Sequence, residues 1–245
     1  VLDGLEAALR ALWAHPLDVP GDDPALRSAR EAMFERKTRA RLAEIPEDGP
    51  LAAFLGESVV VNGRRIPGVG RVRRELHALC HAVDLYRPAP FTVLHGDFCL
   101  SNILFDRRNG FVRCIDPRGD FGGFGMHGDP LYDVAKLAHS LQGDYDFLVN
   151  DLATGCWSGS GFCFRTRGDA RHARVRRLFE EWLAATFDPA DRQRIALIQA
   201  LLFLSMVPLH RDNPTAQARF LARGLELYAG CADAVWPGAR VGDVA

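Results

Sequence analysis

Residues 93–116 read VLHGDFCLSNILFDRRNGFVRCID, a stretch in which two apolar runs frame a group of oxygen- and nitrogen-bearing side chains. Val93 and Leu94 end a short apolar run, His95-Gly96-Asp97 opens a loop, and Asn102 precedes the next run, Ile103-Leu104-Phe105. Asp116 closes a further run that begins at Phe111. Between the last two runs lies Arg108-Asn109-Gly110, which predicts a β-hairpin closed by a three-residue loop with Gly110 in the left-handed conformation. That closure pairs residues whose numbers sum to 218 and sets Asn102 opposite Asp116 on one face. A two-residue Asn-Gly turn would shift the sum to 219 and send the two side chains to opposite faces. The first register is favoured because it places two oxygen ligands side by side.

An amide oxygen and a carboxylate together suit Mg²⁺, which takes hard oxygen donors and completes its shell with water and phosphate oxygens. Asp97, in the loop before the hairpin, is placed to accept a proton from a substrate hydroxyl while a metal neutralises the transferred group. His95 reads as a brace for that loop, and Gly96 as a residue tolerant of unusual dihedrals. Each residue singly has an ordinary structural reading, Asp116 as a turn cap and Asn102 as a loop end. Their joint spacing is what points to phosphoryl transfer.

Upstream, Leu5, Leu9 and Leu12 predict a helix over 3–14, and Asp23 with Pro24 caps a second helix reaching about Ile45. Val59 to Ile66, turning at Asn62-Gly63, predicts a small surface hairpin. Apolar positions from Val72 to Leu85 mark another helix, on which His77 and His81 share a face. No HExxH pattern and no nearby carboxylate accompanies that pair, so the two read as partly buried or surface histidines. Downstream, the glycine-rich 119–129 reads as a mobile loop and matches no phosphate-binding spacing. Asp129 with Pro130 then caps a helix on Leu131, Val134, Leu137 and Leu141. Residues 143–168 read as a long connection with a short strand at 162–164. Helices over about 169–185, 189–207 and 214–229 follow.

The chain has 245 residues, 48% of them hydrophobic, enough to bury a full core. A formal charge of -1 gives no basic footprint for nucleic acid or for a membrane surface. The six cysteines form no CxxC pair and are too sparse for a disulfide scaffold, so they read as reduced and the protein as cytoplasmic. The N-terminus carries charges through its apolar residues and is not a signal peptide. The apolar run from Ile195 to Leu209 is interrupted by polar residues and reads as a buried helix rather than a membrane span. Of the 30 basic residues only Lys37 and Lys136 are lysines.

His95-Gly96-Asp97 with Asn102, then Ile115-Asp116, then Gly128-Asp129-Pro130-Leu131-Tyr132-Asp133-Val134-Ala135, resembles the aminoglycoside phosphotransferase and choline kinase superfamily, a branch of the protein-kinase-like fold. The resemblance implies Asp97 as catalytic base, supported by His95 and Gly96, with Asn102 and Asp116 as metal ligands and Asp133 bracing the loop from its helix. It implies ATP or GTP with Mg²⁺ as cofactors, and a small-molecule hydroxyl acceptor. The wording FCLSNILFD, IDPRGD and GDPLYDVAKLAHS is similar to phosphotransferases associated with capsule and surface-polysaccharide biosynthesis, which implies a sugar. One departure is Asp116-Pro117-Arg118-Gly119, with glycine a place late, so that Arg118 becomes a candidate phosphate contact. His210 and Asp212, between two C-terminal helices, are candidate substrate contacts.

The expected fold class is therefore α+β, predominantly helical: the C-terminal lobe of a kinase-like fold with short β-hairpins. Residues 1–90 would be a helical linker and helices, 91–142 the catalytic and metal segment, and 143–245 a C-terminal helical subdomain. No lysine or glycine-rich hairpin of an N-terminal β-lobe is legible, since Lys37 falls within a helix and Lys136 lies beyond Asp116. The reading favoured is an ATP-dependent small-molecule kinase. An alternative is a catalytically inactive kinase-like binding or regulatory module, and a two-metal phosphate hydrolase, which needs more ligands, comes last. Neither nucleic acid nor membrane insertion is expected.

Overall fold

The computed structural model describes residues 2–106, 108–159 and 161–238. Helix α1 (Leu2–Trp13) is followed by α2 (Pro24–Glu31), a π-helical turn (Ala32–Arg36) and α3 (Lys37–Ala43), which run on as one helical rod. Asp23 starts the rod as expected: its Oδ1 accepts from the Ala25 N–H at 2.7 Å, and Pro24, which lacks an N–H to satisfy, holds the first position. Strands β1 (Ser58–Val61) and β2 (Arg64–Pro67) form the Asn-Gly hairpin, with positive φ at both Asn62 and Gly63. Helix α4 (Val69–Ala82) and strand β3 (Thr92–Val93) lead to the central stretch.

The central hairpin pairs β4 (Ile103–Phe105) with β5 (Val112–Cys114), but in a register that differs from both expected ones. Ile103 faces Cys114 and Phe105 faces Val112, and the ladder continues to the Ile115 N–H, which donates to the Asn102 carbonyl at 3.0 Å. The cause is Asp106. Its carboxylate accepts from the N–H groups of Arg108 and Asn109 at 2.8 and 3.1 Å, starting the turn one residue early and lengthening the loop. Asn102 therefore lies across from Ile115, and Asp116 leaves the ladder altogether with φ +56°. The predicted pairing of Asn102 with Asp116 is corrected accordingly.

Strand β6 (His127–Gly128) pairs antiparallel with β3. The stretch before it, read as a mobile loop, is a knit turn: Asp120 accepts from the N–H groups of Gly123 and Gly125, and Phe121 is buried against Phe34, Phe91 and Tyr132. Helix α5 (Leu131–Leu141) follows, then α6 (Tyr145–Val149). The expected long connection in 143–168 is instead α6 and a hairpin, β7 (Ala153–Ser158) with β8 (Gly161–Thr166), the second strand containing the short strand expected at 162–164. β8 pairs parallel with β1, making a four-stranded sheet in the order β2-β1-β8-β7. The first hairpin is thus no isolated surface element; Val59 and Val61 are buried.

Helices α7 (Ala170–Thr186), α8 (Pro189–Met206) and α9 (Pro214–Val235) complete the chain, with Asp169, Asp188 and Asn213 as side-chain caps. A 3₁₀ turn, Val207–His210, joins the last two. Helix α8 is apolar nearly all round and packs against α3, α5 and α9, as a central core helix must. By length and composition Pro189–His210 would pass as a membrane span, yet most of it is buried inside the protein. Gln199 fixes α8 on α5 by donating to the Ala138 carbonyl at 3.0 Å.

Candidate active site

The face of α5 carries the loop that precedes the central hairpin. Asp133, Lys136 and Ser140 recur at spacings of three and four and so share one side of the helix. Asp133 accepts from the N–H groups of His95 and Gly96, both at 2.8 Å. The ammonium of Lys136 meets Asp97 Oδ1 at 2.7 Å, and Ser140 Oγ accepts from the Leu100 N–H at 3.0 Å. One helix face thereby grips the loop at four of its residues. Gly96 has φ +75°, and an added Cβ would meet that of Arg118 at 2.8 Å, so glycine is required there on two counts.

His95 is a brace, as its place in the sequence suggests. Its Nε2 lies 2.9 Å from the Ile115 carbonyl, and its own carbonyl accepts from the Arg118 N–H at 2.7 Å. The His95-Gly96-Asp97 loop and the end of β5 are thereby tied together. Asn102 Nδ2 donates to both the carbonyl and Oδ2 of Asp97 at 3.0 Å, leaving the amide oxygen as its remaining acceptor. Asp97 is accordingly held between an ammonium and an amide with its side chain one-third exposed. The carboxylate thus stays partly open to solvent.

Burial pushes the Asp133 carboxyl up to about 7, against the pull of the two backbone N–H groups. Asp133→Asn keeps one acceptor oxygen and strands an N–H, so it is expected to cost about 1–3 kcal/mol, read by urea unfolding. A cost within error of zero would mean that the loop is held elsewhere.

Beside Asp97 opens a cavity of about 390 Å³ lined by Asp116, Arg118, Lys136, His139, Tyr145 and His210, with Leu202, Met206 and Leu209 as its apolar wall. Asp116 and Asp97 thus share one cavity although they do not share a hairpin face. Asp212, the other expected substrate contact, is not among the lining residues, while His210 is. His139 is 2% exposed, stacks on Phe203 and Tyr145, and neither of its ring nitrogens has a hydrogen-bond partner among the described residues. Burial, reinforced by the Lys136 charge, holds its pKa well below the usual imidazole value.

A histidine kept neutral in the fold but free to charge when unfolded stabilises the protein fully above pH 6.5, and that stability is lost as pH falls. On going from pH 7 to pH 5 the contribution of His139 is expected to fall. His139→Phe should flatten that slope in unfolding experiments across this range. An unchanged slope would remove His139 as its source.

His77 and His81 meet edge to face on α4, and His77 Nδ1 approaches Glu35 at 3.1 Å, so a carboxylate is nearer than the sequence suggested. Among the described residues no group of three or more His, Cys, Asp or Glu side chains is arranged to hold a metal. The donors near the cavity are instead an amide oxygen and carboxylates, at Asn102, Asp97 and Asp116. A set of hard oxygens fits Mg²⁺, which relies on water and phosphate for the rest of its shell.

Sequence reasoning missed Lys136, Tyr132, His139 and Ser140. The first was set aside because a nucleotide-binding lysine was sought in a strand upstream. The signal that would have found it is the spacing Asp133, Lys136, Ser140 on one helix face, adjoining a loop already under suspicion.

A family model described as the phosphotransferase enzyme family, APH, matches residues 3–184. No curated protein and no solved structure matches the chain significantly.

Proposed function

Since the chain belongs to the phosphotransferase enzyme family, we propose that it moves the γ-phosphoryl group of ATP or GTP to a hydroxyl of a small molecule bound in the cavity beside Asp97, and that this molecule carries a sugar. The observation that carries the reading is the shared cavity: Asp97, held by Lys136 and Asn102, opens onto the same space as Asp116, Arg118, His139 and His210.

Asp97 takes the proton of the acceptor hydroxyl as its oxygen attacks the γ-phosphorus and the bond to the leaving nucleoside diphosphate breaks. Asn102 keeps the carboxylate turned toward the cavity, and Lys136 holds it from the opposite side. Asn102 and Asp116 would hold Mg²⁺, which when bound spreads the charge of the phosphate oxygens. The apolar wall of Leu202, Met206 and Leu209, with the Tyr145 ring, suits the carbon face of a sugar. The neutral imidazole of His139 both donates and accepts, which suits hydroxyl groups.

The test is a screen of free sugars and sugar-containing alcohols with γ-labelled ATP and GTP in the presence of Mg²⁺. Label transferred to an acceptor bears the reading out. Saturable nucleotide and sugar binding with no transfer to any acceptor would replace it by a kinase-like binding module.

A further inference from the structure

The chain has only two lysines, and both converge on one phenol. Lys37 Nζ stands over the Tyr132 ring, 5.8 Å from its centroid. Arg118 Nη1 donates to the Tyr132 hydroxyl at 3.3 Å, and Lys136, one turn along α5 from Tyr132, reaches Asp97. Three cations thus gather round a side chain that is 1% exposed, with Asp97 as the one carboxylate among their contacts.

Three buried or half-buried arginines elsewhere in this protein are matched by acids: Arg30 by Asp129, Arg194 by Asp191 and Arg223 by Asp144. Among the described residues the half-buried Lys37 has no carboxylate within ion-pair distance, and the exposed Arg118 has none either. The crowding registers at Lys37 and at the phenol. Burial, together with the Arg118 and Lys136 charges, lowers the pKa of Lys37; burial would raise that of the Tyr132 phenol, but the three cations outweigh it and bring it down. An excess of fixed positive charge beside a candidate base is a site for a ligand with several negative oxygens.

We propose that Lys37, Arg118 and Lys136 form a cationic cradle for the phosphate chain of the nucleotide donor, with the buried Tyr132 as the hub that sets Lys37 and Arg118 in place. The identification of the anion as the donor's phosphates rests on the phosphotransferase reading. The cradle itself rests on the geometry. Arg118 is anchored to the His95-Gly96-Asp97 loop through its N–H to the His95 carbonyl and lines the cavity together with Lys136, so a phosphate held there lies beside Asp97; Lys37 is not among the lining residues and adds its charge from beside the Tyr132 ring. An arginine fork and two ammonium groups, approaching from three separate elements, suit a chain of tetrahedral phosphates better than a single carboxylate, which one cation would satisfy.

The probe is inorganic pyrophosphate, titrated calorimetrically in the presence of EDTA so that no metal bridges anion and protein. The wild-type chain is expected to bind it saturably, with a Kd that rises about tenfold in Lys37→Met and in Arg118→Gln. Lys37→Arg, which keeps the charge, should retain most of the affinity. Arg118 is exposed, so its replacement leaves the core untouched and serves if the Lys37 variants do not fold. Tyr132→Phe, which keeps the ring and removes the hydroxyl that orients Arg118, should weaken binding in the same direction.

Absence of saturable binding, or a Kd unmoved by the Arg118 change, overturns the cradle. Competition identifies the source of the anion. Displacement of pyrophosphate by ADP supports the donor assignment, whereas displacement by a hexose phosphate alone overturns it. Pyrophosphate binding that depends on these residues in a protein unable to transfer phosphate would leave the cradle standing and sink the phosphotransferase reading. Transfer indifferent to Lys37 and Arg118 would do the reverse.

Discussion

Asp97→Asn is expected to lower phosphoryl transfer by about 10²–10⁴-fold, the usual worth of a positioned general base, while leaving the fold intact. Asp97 is the one carboxylate near the cavity that is oriented from both sides, by Lys136 at 2.7 Å and by Asn102 at 3.0 Å. Asparagine preserves the volume and one acceptor oxygen, so the loop keeps its shape, but an amide takes no proton from an attacking hydroxyl. The side chain is one-third exposed, so little stability should go with the charge. The measurement is steady-state transfer to whichever acceptor the screen returns, with the thermal midpoint as a control on folding. A variant with undiminished kcat would strip Asp97 of its role. One that merely raised the KM for the acceptor would make it a binding contact rather than a base.

Much of this site was legible in the sequence because its parts obey local rules. Asp97 and Asn102 lie in one loop, and Asp133 sits in the first turn of a helix whose cap, Asp129-Pro130, announces itself. The caps at Asp23 and Asn213 likewise set the helix starts. What failed was anything decided by a single residue of register or by distant packing. The central hairpin slipped because Asp106 bonds to the N–H groups of Arg108 and Asn109 and opens the turn early, a competition that apolar patterning does not register. Of the β7–β8 hairpin only 162–164 is legible as a strand, because both strands carry glycines, cysteines and exposed positions. What holds it is its pairing with β1, which lies some hundred residues away in the chain. Lys136 and His139 were passed over as ordinary helix residues, since their meaning depends on which loop and which cavity α5 faces.

The same dependence on distant packing makes Asp129→Ala the most damaging change to stability. Asp129 and Arg30 are each 1% exposed, and the guanidinium Nε lies 2.6 Å from the carboxylate. Arg30 also donates to the Ala89 carbonyl at 2.8 Å and stacks over Phe91 at 4.7 Å. Asp129 in addition accepts from the Leu131 N–H at 3.0 Å, which starts α5. Removing the carboxylate leaves a buried, uncompensated guanidinium, worth about 3–5 kcal/mol, and costs roughly 1 kcal/mol more for the lost cap. Against a total stability of about 5–15 kcal/mol this is a large share. For a chain of this size the thermal midpoint should fall by roughly 10–20 °C. Asp129→Asn would keep the cap and the shape but not the charge, and should fall between the two. The double change Arg30→Met with Asp129→Leu should recover part of the loss, because it removes the buried pair together, while Arg87, 3.5 Å from the Asp129 carboxylate, keeps Asp191 as its partner. A single-variant cost below about 1 kcal/mol would mean that water reaches the pair. The consequence reaches the site as well. The ion pair pins the rod that carries Arg30, Phe34 and Lys37 to the start of the helix that carries Tyr132, Asp133 and Lys136. Phe34 stacks on Tyr132 and Lys37 stands over the same ring, so a rod released at Arg30 takes Lys37 away from the phenol. A destabilised but still folded Asp129→Asn protein is therefore expected to bind pyrophosphate more weakly than wild type, although Asp129 is buried away from solvent and its change removes a negative charge.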